Sequence, residues 1–101
     1  MIVNLTPHAI HFPGCTIEPS GIIARCAEDT IPSGLFDGIE IIRRSYGKVY
    51  DLPEPQGNTL YVVSLLVRQA CPNRHDLASP GDLVRDESGT IVGAKNLVIN
   101  P

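Results

Sequence analysis

Apolar residues occur along this chain in short runs divided by turn-formers, and their spacing is that of strands. Thr59 to Val63 is the clearest case. It is β-branched or aromatic at four of five positions and apolar on both faces, the pattern of a central strand. Ser64 follows with the makings of a helix N-cap. Leu65, Leu66, Gln69 and Ala70 favour helix, and Pro72 stops it after about two turns.

The remaining segments fall around this junction. Ile2–Leu5 and Ala9–Phe12 read as short strands hinged at Thr6-Pro7, and Cys15–Glu18 as another beyond the Pro13-Gly14 turn. Ile22–Cys26 is strand-like. Residues 28–38 read as a loop, with Pro32, Gly34 and Gly38 as breakers. Ile39–Tyr46 alternates, and Gly47-Lys48 is placed as a tight turn into Val49-Tyr50. Leu52–Asn58, with Pro53 and Pro55, is a stiff extended connector. Asp82–Asp86 and Thr90–Ala94 flank Glu87-Ser88-Gly89, a three-residue hairpin loop with glycine at the left-handed position. Leu97–Ile99 is a last short strand. These segments predict a mainly β, α+β protein: a small, strongly bent antiparallel or mixed sheet, or a partial barrel, with one short helix near residues 64–71. Edge strands would remain for a partner subunit to cover, which favours a homo-oligomer.

Length and composition narrow the classes. At 101 residues the chain is expected to be a single domain, 1–101, with 43% hydrophobic residues, enough for a core. Net charge of −3 argues against non-specific nucleic-acid binding. The start MIVNLTPHAIHF lacks the features of a secretory signal, and Leu60–Val67 is too short to span a bilayer, so no membrane association is expected. Cys15, Cys26 and Cys71 cannot all pair within one chain and form no CxxC. They read as free thiols of a cytoplasmic protein.

Chemistry is sparse. His8 and His11 point to opposite faces of a predicted strand, and no second cluster completes a metal site, so no metal or cofactor is expected. The flanks of Ser64 are too bulky for a nucleophile elbow. Cys71 near His75 sits at a helix C-terminus, where the dipole disfavours a thiolate. Anion binding is better supported. Ser64 and the free amides of the first helical turn make an electropositive end, Arg68 lies one turn on, and Arg74, His75 and Asp76 follow at once. Arg44 is adjacent to Arg43 on a strand, and Tyr61 could stack a base. The candidate ligand-binding set is therefore Ser64, Arg68, Arg74, His75, Asp76, Arg44 and Tyr61, with no catalytic residue assigned.

A family likeness enters on ordered motifs: Asn4–His8 (NLTPH), Leu52–Pro55 (LPEP), Thr59–Ser64 (TLYVVS), Pro72–Asp76 (PNRHD) with Ser79-Pro80, and Leu83–Asp86 (LVRD) with Gly89 and Gly93. With these the chain resembles a family of short bacterial, especially actinobacterial, and tailed-phage or prophage proteins. The likeness is weakest over residues 15–40. It carries over no catalytic residues. It implies a cytoplasmic accessory protein, in a host cell's cytoplasm if phage-encoded. By analogy with small phage proteins that evade host immunity, it would sequester a nucleotide-type signal. The expectation is thus a non-enzymatic protein that captures a small anionic, nucleotide-like ligand. The alternatives are an interaction or inhibitor module using an exposed sheet edge, and a small hydrolase or lyase using Asp76 or His75.

Overall fold

The computed structural model describes residues 1–101. Ten strands and one six-residue helix make the protein mainly β. At the centre is a mixed four-stranded sheet. Its strands are β1 (Ile2–Asn4), β6 (Leu60–Val62), β7 (Leu77–Pro80) and β10 (Leu97–Ile99), in that order. β1 and β7 run parallel to β6, and β10 runs antiparallel to β7. Three two-stranded ribbons surround it: β2 (Ile10–Phe12) with β3 (Cys15–Ile17), β4 (Arg25–Phe36) with β5 (Ile39–Tyr50), and β8 (Leu83–Arg85) with β9 (Ile91–Ala94). None of these sheets closes into a barrel, and the central one is mixed.

The predicted central strand is central. Tyr61, Val62 and Val63 are all buried, because β6 has a neighbour on each edge and cover on each face. Residues paired across neighbouring strands share a face, so Val3, Tyr61 and Leu77 line one side. There Leu5, Ala24, Tyr61, Val63, Val67 and Leu77 form the core, flanked by half-buried Cys26, Val49, Leu52 and Cys71. The other side carries Asn4, Val62 and Ala78, also buried. α1 (Leu65–Ala70) begins at Ser64, whose Oγ accepts the Val67 amide at 3.3 Å, and covers the core with Val67.

Two buried asparagines tie loops to this sheet. Asn4 Nδ2 donates to the carbonyls of His8 and Ile17, while its Oδ1 accepts from the Thr6 amide and hydroxyl. The Thr6-Pro7 hinge is therefore organised by hydrogen bonds from inside the fold. Asn100 Nδ2 donates to the carbonyls of Arg68, Cys71 and Arg74, satisfying groups that the short helix leaves open at its end. Elsewhere β9 runs close to β2 at Gly93, where a Cβ would sit 2.5 Å from the His11 carbonyl oxygen.

The predicted β8–β9 hairpin forms with Gly89 at φ 83°. The segment 25–50 departs from expectation. Of the predicted loop 28–38, residues 28–36 are strand, and Gly47-Lys48 is not a turn: both lie within two twelve-residue strands. The chain reverses at the end of that predicted loop, at Asp37-Gly38, with φ of 50° and 78°, a two-residue turn closed by the Phe36–Ile39 pair. Positive φ at both central residues matches the right-handed strand twist, which is why Asp-Gly suits this place. Pro32 and Gly34 do not stop the strand. They sit at a register irregularity between Pro32 and Leu35, where a missing amide donor is tolerated. The resulting arm gives the molecule extents of 48 × 39 × 27 Å and a radius of gyration of 16.2 Å, against about 13 Å for a compact chain of this length.

Candidate functional site

The helix start forms as the sequence predicts, but its neighbours are committed to the fold. Arg68 Nε donates to Ser79 Oγ at 2.8 Å and Nη1 to Asn100 Oδ1 at 3.2 Å, so this guanidinium fastens α1 to β7 and to the residue after β10. Arg74 grips Asp76 through two hydrogen bonds of 2.8 Å, from Nε and Nη2, and Nη2 also donates to the Pro53 carbonyl at 3.0 Å. That fork geometry is the strong form of a carboxylate pair. The bonds from Arg74 hold the Asp76 carboxyl below its usual range, against an opposing push from burial. The same bonds hold the Arg74 guanidinium protonated.

Tyr61 has a buried ring, and its hydroxyl donates to the Glu54 carbonyl at 3.3 Å. A base cannot stack on it without opening the core. His75 is exposed, with Nδ1 at 3.4 Å from the Asn100 carbonyl. With Asp76 it borders an open cleft of about 540 Å³ beside Met1, Ile2 and Asn58–Leu60. Thus Arg68, Arg74, Asp76 and Tyr61 act together as a brace. They clamp the proline-bearing connector, the helix and β7 against one another. Ser64 caps the helix, and Arg44 lies apart on β5, donating from Nε only to Thr30 Oγ1 at 3.4 Å.

The least committed guanidiniums lie on the arm. Arg25 and Arg43 make no side-chain hydrogen bond or ion pair, and Arg44 makes the single long one above. Arg25 also lines an open cleft of about 560 Å³ at the arm's base, with Gly21, Ile22, Ile23, Asp51, Leu52 and Pro53. Beyond the base, both faces of the arm are exposed. Paired residues share a face. One carries Ile31, Arg43, Phe36 and Ile39, the other Pro32, Ile42, Leu35 and Glu40. Leu35 is 74% exposed, Phe36 71% and Ile39 67%. Apolar side chains are thus exposed on both sides of the ribbon. The signal for it was present in the sequence as Asp37-Gly38 between apolar residues.

No group of three or more His, Cys, Asp or Glu side chains is placed to hold a metal. All three cysteines are free, with Cys15 exposed. No helix is long and apolar enough to cross a membrane. Comparison of the chain with protein-family models, curated proteins and solved structures finds no match.

Proposed function

We propose that this protein is a non-enzymatic binding protein whose working surface is the β4–β5 arm, acting as a protein–protein interaction module. The observation that carries this reading is the exposure of Ile31, Leu35, Phe36, Ile39 and Ile41 on both faces of a single ribbon. Apolar residues at a surface cost solubility unless something covers them. The hydrolase alternative draws no support from Asp76, whose carboxylate is occupied by Arg74. The test is affinity capture with the wild-type chain and with Phe36→Asp and Ile39→Asp. These tip residues touch no core, so both variants should fold. A stoichiometric protein partner should be held by the wild type and lost by both variants. Equal capture by all three would remove the arm from the reading.

A second reading keeps the small anionic, nucleotide-type ligand and moves it to the arm. It is favoured by one observation: Arg25 and Arg43 make no side-chain hydrogen bond or ion pair, and Arg44, beside Arg43, makes one long hydrogen bond. In the setting that the family resemblance implies, such a protein would sequester a nucleotide signal. Thermal shift against cyclic dinucleotides and adenosine nucleotides tests it. A ligand at 100 times its Kd stabilises by about 2.7 kcal/mol. A rise in Tm that Arg43→Ala and Arg44→Ala abolish supports capture at the arm. No shift with any member at millimolar concentration sinks it.

A further inference from the structure

The β5 edge of the arm has the order of charges and apolar groups that pairs with itself, and we infer that its occupant is the β5 of a second copy of this chain. The inference rests on the arm being the binding surface, as proposed above. A two-stranded ribbon is marginal in water without further strands or packing. This one leaves two edges free, and they differ. On β4, Pro32 removes a donor, and the strand is irregular around Ser33-Gly34. On β5, the run Ile39–Tyr46 has no proline and no glycine. It is the edge open to a further strand.

Symmetry then restricts the register. Two copies of β5 related by a twofold axis normal to the sheet run antiparallel, and residues opposite one another share a face. One residue must therefore face its own copy. Centring on Arg43 or Arg44 sets two guanidiniums against each other, which is unfavourable. Centring on Ile42 sets Ile42 against Ile42. It also brings Glu40 of each chain opposite Arg44 of the other, twice, and puts Ile41 opposite Arg43. Centring on Ile41 leaves Glu40 opposite Ile42 and forms no charge pair. Neither Glu40 nor Arg44 has an ion-pair partner within its own chain, so both are free for the contact. The product is a four-stranded antiparallel sheet, β4-β5-β5-β4, with its apolar faces doubled in width.

Native mass spectrometry of the full chain at tens of micromolar should give twice the chain mass. Glu40→Arg, which sets arginine against arginine twice, should weaken the dimer at least about tenfold. The double variant Glu40→Arg/Arg44→Glu restores the alternation and should return to within about threefold of wild type. In a Cys15→Ser background, which removes the exposed thiol, Ile42→Cys should form an interchain disulfide under mild oxidation. Directly opposed Cβ atoms lie about 4.5–5.5 Å apart, within a small adjustment of disulfide reach. A wild-type monomer that still captures a foreign protein through the arm overturns self-pairing and leaves the arm reading in place. A monomer that captures nothing removes both. A dimer indifferent to Glu40→Arg, in which Ile42→Cys gives no cross-link, overturns the β5 pairing.

Discussion

The central sheet and the β4–β5 arm use the same strand-forming residue types, yet they end in opposite surroundings. In the sheet, β6 is three residues long and Tyr61, Val62 and Val63 beside it are sealed from water. In the arm, strands four times that length leave Ile31, Leu35, Phe36 and Ile39 in solvent. The difference is the number of layers. The sheet has α1 and the base of the arm on one face and buried Asn4, Val62 and Ala78 on the other. Beyond Cys26 and Val49, the arm has no second layer. Apolar strand residues thus define what a segment is able to bury, and a neighbouring layer decides whether it does. The first region holds the core, and the second leaves its apolar side chains in solvent.

That division can be broken first at Leu77, fully buried in the core. Leu77→Ala should cost about 2–5 kcal/mol in denaturant unfolding, through lost transfer energy and a cavity. Asn100→Ala follows. It strips the carbonyls of Arg68, Cys71 and Arg74 of their donor and should cost about 1–3 kcal/mol, with the helix end fraying first in hydrogen exchange.

Asp76 sharpens the contrast through pH. Its carboxyl is depressed in the folded state, chiefly by the hydrogen bonds from Arg74. Its contribution is complete above the unfolded value near 4 and is lost as pH falls through the folded value. Asp76→Asn should therefore be less stable at neutral pH and lose less on acidification. Asp86, depressed by Ser88 and Thr90, remains in that variant as a smaller, solvent-exposed source of acid sensitivity. An unchanged acid profile would remove the brace as a determinant of stability.

Ser64→Ala should cost about 1 kcal/mol through loss of the cap on the Val67 amide. Smallest of all, Phe36→Ala at the arm tip should change monomer stability by under about 0.5 kcal/mol, measured at dilution where chains are apart. A cost near that of Leu77→Ala would mean that the arm is part of the core after all.

The candidate site was readable in its identities and not in its employment. Ser64 was legible as a cap because a strand, a serine and a helix-forming run follow in order. Arg68, Arg74 and Asp76 were legible as a polar cluster. What they bond is decided by Ser79, Asn100 and the Pro53 carbonyl. Asn100 lies 32 residues from Arg68 and Pro53 lies 21 from Arg74, so local spacing carries no trace of these contacts. The arm is hidden in the sequence because Pro32 and Gly34 read as breakers. The stronger signal, Asp37-Gly38 between apolar residues, lay in the same window.

By itself the sequence determined the central strand, the cap and extent of the helix, the β8–β9 hairpin and the mainly β class. Each follows from contacts within a few residues, where turn chemistry and alternation act directly. Only the tertiary structure decided that the Arg–Asp cluster braces the fold and that residues 25–50 form one projecting ribbon. Those outcomes depend on which distant segments lie within hydrogen-bonding reach and on where a covering layer ends, and no local pattern encodes either.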